Sequence, residues 1–470
     1  MTDKSLQLRY ANMLSDAVGG VHGLVRDEIQ HAAAEVAAVI RRVERERRSG
    51  MHRYRDLPLD RAMVRAVKAA VRRHRPSAEN LVVLGIGGSA LGNIALQTAL
   101  NPAQHNLLPK SKRRGPRLFV MDNVDPTRFA ALLDTLGDGL KRTCFNVISK
   151  SGETAETAAQ FLIVRALLSS KLGKRALTRQ LVVTTDPHSG TLRELADAEG
   201  YDTLPVPDGV GGRFSVLSAV GLFSATMCGV GIDALLRGAA EMSERVASAR
   251  VLRNPAGMLA LLLHANYERG KRIHVMFPYS DALRDLSDWY RQLWAESLGK
   301  RVDLEGRVVH AGPTPIHALG ATDQHSQVQL YREGPNDKVF IFLEVDRFAR
   351  DVRIPKMKGT PEPLRYLERS SLGALLSAEK RATELALLAS ERPCMTIRFP
   401  RISAHTAGQF IMLWEAATTI MGGLLNINPY DQPAVQLGKE YTFALMGKPG
   451  CAASLPATKT SPRQHERFVI

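Results

Sequence analysis

The chain has 470 residues, of which 44% are hydrophobic and 23% are charged, and its formal net charge is +16. This length and composition predict a globular protein with two or three structural units, and the absence of any run of eighteen apolar residues excludes a membrane-spanning helix. The basic charge does not by itself indicate nucleic-acid binding, because only 6% of residues are aromatic and no recognition motif accompanies the charge.

The N-terminal segment predicts helices. Apolar residues recur at three- and four-residue steps from Val25 to Val43, which is the pattern of an amphipathic helix. The first fifteen residues lack the continuous apolar stretch of a secretory signal. We therefore expect a helical segment over residues 1–75 and a cytoplasmic protein.

After Pro76 the sequence alternates between short apolar runs and helical patterns. The predicted strands, each followed by a helix, are Leu81–Leu84, Arg117–Met121, Phe145–Ile148 and Leu181–Thr184. Such alternation predicts a parallel sheet covered on both faces, whose ligands bind beyond the carboxyl ends of the strands. We assign residues 76–235 to this first domain.

A second set of strands follows Asn254–Pro255. Its members are Ile273–Phe277, Lys338–Val345 and Cys394–Phe399, with long helices between them, one of which is predicted at Leu364–Ser390. The fold class is therefore α/β, with two mainly parallel sheets flanked by helices. We assign residues 236–430 to the second domain and residues 431–470 to a C-terminal helix, near Ala434–Met446, and a loosely held tail.

The glycine-rich turn GIGGSALG at residues 85–92 lies between the first predicted strand and a helix. Glycines let the backbone approach a ligand, and a helix N-terminus offers free N–H groups to an anion, which makes Gly88 and Ser89 candidate phosphate-binding residues. The turn also fits a dinucleotide-binding fingerprint, which expects an acidic residue about twenty positions later. The acidic residue at the end of the next strand is Asp122, well beyond that spacing. A purely structural turn is the other alternative.

The loop SKSGET at residues 149–154 again follows a strand and precedes a helix. The hydroxyl groups of Ser149, Ser151 and Thr154 suit the several acceptor oxygens of a phosphate, and Lys150 completes the candidate site. Helix capping is the alternative, because Ser and Thr are preferred at helix N-termini. Two such loops on successive α/β units favour phosphate binding.

Two further segments contain candidate catalytic groups. In GVGGRFS at residues 209–215, Arg213 suits a developing oxyanion because arginine stays protonated, and a surface Arg in a glycine turn is the alternative. In the helical pattern around Trp289 and Leu293, Gln292 and Glu296 are four residues apart and share a face. The apolar neighbours of Glu296 favour a general base, although an ordinary helical Glu would fit the same pattern.

Two more segments contain candidate residues whose role cannot be inferred from the local motif alone. GATDQHSQ at residues 320–327 contains His325, and an isolated histidine is more often an ordinary core or surface residue. NPYDQPAVQLGK at residues 428–439 is a turn that leads into a helix, on which Lys439 could meet a substrate. The four cysteines form no metal-binding or disulfide pattern, so we predict reduced thiols and no metal site.

Together these six segments resemble the glucose-6-phosphate isomerase family, in their usual order and over most of the chain. The segment GGRFS with its flanks fits one signature of that family throughout, and DQPAVQLGK fits the other at every position but one. The resemblance implies two sugar-isomerase (SIS) domains. It also implies interconversion of glucose 6-phosphate and fructose 6-phosphate, a step of glycolysis and gluconeogenesis, without a cofactor.

The resemblance also implies roles for individual residues. The phosphate loop is matched by Ser149, Ser151 and Thr154, with Ser89 at the edge of the same pocket. Glu296 matches the base that moves a proton between C1 and C2, and Arg213 matches the cation beside the cis-enediol(ate) intermediate. Contacts to substrate hydroxyl groups are matched by Gln292 and Gln432.

Ring opening is assigned to His325 and Lys439 by the same resemblance. In this family the histidine comes from the neighbouring subunit, which implies a homodimer or a higher homo-oligomer and a hexose 6-phosphate as the ligand, with no nucleic acid and no membrane. Gln436 departs from the second signature, which has Glu there. The loss of this carboxylate three residues before Lys439 removes a partner charge and puts the pH dependence of ring opening in question.

Two rival functions stay open at the level of the sequence. One is a phosphosugar isomerase that also accepts mannose 6-phosphate. The other is a non-catalytic SIS-type binding or regulatory protein, which would need the phosphate loop but not the four catalytic candidates, Glu296, Arg213, His325 and Lys439. All four are present.

Overall fold

The predicted apolar stripe of the N-terminal segment becomes the buried face of a long helix. A computed structural model describes residues 5–451, and this segment comprises β1 (Gln7–Arg9), α1 (Ser15–His22), α2 (Arg26–Arg48) and α3 (Arg61–His74). Helix α2 buries Ile29, Val36, Val39, Ile40 and Val43, which confirms the predicted helix. The prediction of helices alone is wrong at β1, because a three-residue strand is too short to show a period.

The first sheet has five strands, all parallel, in the order β3-β2-β4-β5-β6. Its elements are β2 (Asn80–Leu84), α4 (Leu91–Leu100), β3 (Arg117–Met121), α5 (Pro126–Leu136), β4 (Thr143–Ile148), α6 (Ala155–Leu172), α7 (Arg175–Gln180), β5 (Leu181–Thr185), α8 (Thr191–Glu199) and β6 (Asp202–Pro205). The central strands β2, β4 and β5 are buried throughout, since helices cover both faces of the sheet. The four predicted strands are confirmed.

Three helices connect the two sheets: α9 (Ala219–Met227), α10 (Ile232–Val246) and α11 (Pro255–Glu268). The second sheet has the order β1-β12-β11-β7-β10, in which only β1 is antiparallel. Its further elements are β7 (Ile273–Pro278), α12 (Arg284–Leu298), β8 (Lys300–Val302), β9 (Val308–Ala311), β10 (Thr314–His317), α13 (Val328–Glu333), β11 (Lys338–Val345), α14 (Leu372–Leu388), β12 (Cys394–Phe399) and α15 (Ala404–Leu424). Strands β8 and β9 form a separate antiparallel pair. The α/β class with two mainly parallel sheets is confirmed.

The strands that the sequence does not predict lie at sheet edges. Strand β6 ends with Pro205 and β10 contains Pro315, and proline is tolerated at an edge because one side of an edge strand has no ladder to complete. The predicted helix at Leu364–Ser390 is wrong at its start. Helix α14 begins at Leu372, where the Ser371 hydroxyl accepts a hydrogen bond from the Ala374 amide.

The described chain divides into two compact units, one that ends at Pro429 and one that begins at Tyr430. The second unit contains α16 (Ala434–Leu445), which confirms the predicted C-terminal helix, while the predicted tail lies largely outside the described residues. The domain boundaries at residues 76, 236 and 431 stay predictions. Among residues 5–451, no helix is long and apolar enough to cross a membrane.

One carboxyl group in the core has no hydrogen-bond partner within residues 5–451. Glu415 on α15 is fully buried, and neither carboxyl oxygen has a hydrogen-bond partner among the described residues. Burial raises the pKa of Glu415 well above its usual value, because the charged form loses its hydration. The folded protein therefore holds this group protonated at a pH at which the unfolded chain ionises it.

We expect Glu415→Gln to raise the free energy of unfolding, relative to the wild type, by more at pH 8 than at pH 5. Between the ordinary pKa of Glu and the raised pKa of the folded state, the native protein binds one proton more than the unfolded chain. Stability therefore falls as the pH rises through that window, by about 1.4 kcal/mol for each unit of difference. Urea unfolding of both proteins at the two pH values measures this change.

The matched control is Glu362→Gln, since the Glu362 side chain is 79% exposed. We expect this variant to keep the pH slope of the wild type. Equal slopes for the wild type and Glu415→Gln would contradict the prediction.

Candidate active site

The glycine-rich turn after β2 packs against residues from distant parts of the chain. Gly87 has φ +59°, and a Cβ atom on it would lie 3.0 Å from the Gln292 side-chain nitrogen. A Cβ atom on Gly88 would lie 2.2 Å from the carbonyl carbon of Gly212. Glycine at both positions thus allows the first sheet to approach α12 and the backbone just before Arg213. Ser89 lies half-buried at the end of this turn.

The loop at residues 149–154 follows β4, which is the neighbour of β2 in the sheet. Both loops therefore leave the same edge, the carboxyl edge at which parallel sheets bind ligands. Ser149 is buried, its hydroxyl lies 3.1 Å from that of Thr154, and it accepts a hydrogen bond from the Gly152 amide at 3.1 Å. The side chains of Lys150 and Ser151 are exposed.

This arrangement weakens the alternative that the loop is a helix cap. Thr154 is the residue before α6, but its side chain makes no capping hydrogen bond to that helix. The hydroxyl faces Ser149 instead. The first amide groups of an eighteen-residue helix and a set of hydroxyl groups thus lie together at the edge of the sheet, which suits an anion.

Arg213 is buried, and its guanidinium group donates to acceptors from two distant segments of the chain. It lies in the 3₁₀ turn Gly212–Phe214, and its Nε donates to the Ser297 hydroxyl at 2.7 Å. Its Nη2 donates to the Pro429 carbonyl oxygen, also at 2.7 Å. The remaining nitrogen, Nη1, lies 3.6 Å from Oε1 of Glu296. The guanidinium group is therefore fixed with one nitrogen turned toward the candidate base.

Glu296 lies on α12, with 27% of its side chain exposed. Its Oε2 accepts a hydrogen bond from the Gln292 amide at 3.0 Å, as expected for residues four apart on a helix. The surroundings are more polar than the sequence predicts, because both oxygens face nitrogen donors. Trp294 packs instead on Tyr290 and Trp414, at ring-centroid distances of 5.6 and 5.5 Å.

His325 is exposed at the end of a short 3₁₀ turn. Its neighbours anchor the turn: Gln324 donates to the Tyr279 hydroxyl at 2.6 Å, and Asp323 accepts from the Leu319 amide at 2.7 Å. The imidazole itself makes no hydrogen bond or ion pair within residues 5–451. Within one chain, then, no such bond joins His325 to Glu296 or to Arg213.

The two remaining candidates belong to the second unit. Gln432 lies in the turn before α16, and Lys439 lies on that helix. Gln436, the residue that departs from the family signature, donates to Oε1 of Glu440 at 3.1 Å. A carboxylate thus lies one helical turn after the position at which the signature has one.

Sequence reasoning missed Ser297 and Lys300, which hold this site together. Ser297 accepts from Arg213, and Lys300 donates to the carbonyl oxygens of Glu296 and Ser297 at 2.9 Å each. The adjacency of Ser297 to Glu296 was the only available signal. Among the described residues, no group of three His, Cys, Asp or Glu side chains is arranged to hold a metal ion.

The sequence is similar to those of known proteins over most of its length. The family model for phosphoglucose isomerase matches residues 63–344 and 372–456. The chain is 48% identical to the glucose-6-phosphate isomerase of Carboxydothermus hydrogenoformans over 384 residues, which is 82% of each chain. It is 44% identical to that of Rubrobacter xylanophilus, over 83% of this chain and 87% of the relative.

Solved structures share the fold. A hypothetical protein of Thermus thermophilus has a TM-score of 0.84 and 35% identity, covering 94% of this chain and 100% of the other. A glucose-6-phosphate isomerase of Chlamydia trachomatis has a TM-score of 0.81 at 22% identity, covering 100% and 93%, which shows likeness of fold alone. With a family match over most of its length and relatives at up to 48% identity, this chain belongs to the phosphoglucose isomerase family.

Proposed function

We propose that the protein interconverts glucose 6-phosphate and fructose 6-phosphate by moving a proton between C1 and C2 of the open-chain sugar. The observation that carries the proposal is the Glu296 carboxylate 3.6 Å from the buried Arg213 guanidinium, in a member of the phosphoglucose isomerase family. A carboxylate beside a permanent cation suits a proton abstraction that creates a negatively charged cis-enediolate.

The substrate phosphate is bound by the two loops at the carboxyl edge of the first sheet. In this proposal Ser149, Lys150, Ser151 and Thr154 surround the phosphate, with Gly88 and Ser89 at its edge. The helix amides behind both loops support this role, because they attract an anion without needing a charged side chain. Gln292 and Gln432 bind sugar hydroxyl groups.

The chemistry needs only proton transfers. His325 and Lys439 assist ring opening, after which Glu296 takes the proton from C2 of the aldose and returns it to C1. The proton of the C2 hydroxyl group passes to the C1 oxygen, so that a carbonyl group forms at C2 and a hydroxyl group at C1. The electron pair of the broken C–H bond becomes the C1–C2 double bond of the enediolate, whose oxygen lies near Arg213. Substrate and product are isomers, so no electrons are gained or lost and the proposal includes no cofactor.

We further propose that the active unit is a homodimer in which His325 reaches the site of the neighbouring subunit. The exposed imidazole on an anchored turn supports this, since no residue in the described range 5–451 forms a hydrogen bond or ion pair with it. We expect inactive Glu296→Gln and His325→Ala proteins to regain activity when their subunits are mixed. The yield should approach about a quarter of wild type, because about half of the reassembled dimers are mixed and each has one complete site. No recovery after verified subunit exchange would place both groups in one chain.

We propose a cytoplasmic location for this reaction. The described cysteines are free, and Cys144, Cys228 and Cys394 are buried, which suits a reducing compartment.

The direct test is conversion of fructose 6-phosphate by the purified protein in the presence of a chelator. We expect rapid formation of glucose 6-phosphate. Mannose 6-phosphate, assayed in parallel, decides whether the enzyme has the broader specificity of the rival isomerase. Binding of the sugar phosphate without turnover by a folded protein would support the regulatory alternative and overturn the proposal.

A further inference from the structure

A buried hydroxyl group next to the candidate base in sequence contacts the candidate cation. Ser297 follows Glu296 directly on α12 and is fully buried. Its oxygen accepts the Nε–H of Arg213 at 2.7 Å. We propose that Ser297 is a positioning residue, which orients the Arg213 guanidinium toward Glu296; the inference rests on the proposed isomerase function.

The planar shape of the guanidinium group makes this anchor effective. Nε and Nη2 share one edge of the group, and both donate to fixed acceptors, the Ser297 hydroxyl and the Pro429 carbonyl oxygen. Two bonds along one edge determine the plane of the group and its direction within that plane. Nη1 is then directed to the position 3.6 Å from the Glu296 carboxylate. Without Ser297, the Nε–H of Arg213 loses the acceptor that fixes its direction.

Ser297 is itself held in place at the end of α12. The ammonium group of Lys300 donates to the carbonyl oxygens of Glu296 and Ser297, at 2.9 Å each. These are carbonyl groups of the last helical turn, which lack partners within a helix. Glu296 and Ser297 are therefore adjacent residues on one helical turn, which Lys300 holds in place. The distance between these two residues is set by the helix and not by a loop.

Removal of the Ser297 hydroxyl group should affect the catalytic step and not substrate binding. Ser297 is buried beneath Arg213 and its proposed role is to direct a group that acts on the enediolate. Its removal should therefore lower kcat and leave KM nearly unchanged, because the phosphate loops bind the ground state.

The test compares Ser297→Ala with Ser287→Ala in the full-length protein. Ser287 lies on the same helix and is equally buried, but its hydroxyl donates to the Arg284 carbonyl oxygen and not to Arg213. We expect kcat to fall about ten- to hundredfold in Ser297→Ala, the range for one lost hydrogen bond to a charged group. In Ser287→Ala we expect kcat within about twofold of wild type. Ser297→Thr, which keeps the hydroxyl, should recover part of the loss.

A second measurement separates this proposal from the proposed function. Nuclear magnetic resonance with ¹⁵Nε-labelled arginine reports the exchange of the Arg213 Nε–H, and Arg213→Lys identifies the signal by removing it. We expect slow exchange in wild type and Ser287→Ala, and fast exchange in Ser297→Ala. The exchange measurement does not depend on turnover. An inactive wild type would therefore overturn the proposed function without overturning the role of Ser297 in orienting Arg213. Unchanged exchange, or unchanged kcat in Ser297→Ala with active wild type, would overturn the positioning role.

Discussion

Replacement of Glu296 by glutamine is expected to lower kcat for fructose 6-phosphate by about 10²–10⁴-fold, the usual contribution of a positioned acid–base group. Glutamine has the shape of glutamate and can still contact Gln292, which lies 3.0 Å away. The variant therefore removes the proton acceptor while it preserves packing. KM should change little, because the proposed phosphate loops are untouched. Steady-state kinetics of both directions measures the effect.

Hydrogen exchange with solvent tests the same residue more directly. In heavy water the wild-type enzyme should place deuterium at C2 of glucose 6-phosphate, because the base exchanges its proton with solvent between abstraction and return. Glu296→Gln should lose this incorporation together with turnover. Glu333→Gln, an exposed position on α13, should behave as wild type. Persistent incorporation in Glu296→Gln would assign the proton transfer to another group.

Replacement of Arg213 by lysine is the second large effect that we expect. Loss of an oxyanion donor typically costs about 2.7–4 kcal/mol, or about 10²–10³-fold in kcat. Lysine keeps the positive charge but cannot donate along one edge to both Ser297 and the Pro429 carbonyl oxygen while facing Glu296. We therefore expect most of this loss in Arg213→Lys, measured as kcat with KM monitored alongside.

The control for this prediction is an exposed arginine on the helix that contains Glu296. Arg291 on α12 pairs with Asp288 at 3.1 Å, with 55% of its side chain exposed. An exposed ion pair contributes only about 0–1 kcal/mol, so Arg291→Lys should leave kcat and stability unchanged. A wild-type kcat in Arg213→Lys would show that a charge alone suffices and that the geometry at Arg213 is not needed.

The fold was largely predictable because its signals are local. The strands at the centre of each sheet are continuous apolar runs, and Arg117–Met121, Lys338–Val345 and Cys394–Phe399 have the predicted bounds. Edge strands such as β6 and β10 carry Pro205 and Pro315 and were missed. Their strand character depends on one neighbouring strand, which a local pattern does not contain.

In the candidate site, too, local features were predictable and contacts between distant segments were not. The sequence by itself predicted the two candidate anion loops, and it determined the helical spacing of Gln292 and Glu296 and the family to which the chain belongs, because each is a pattern of nearby residues. Only the tertiary structure decided that Gly88 packs on Gly212 and that Arg213 is anchored by Ser297, 84 residues along the chain. Such contacts arise because helices and sheets from distant parts of the chain pack together, and the distances between them follow from the whole core and not from any one segment.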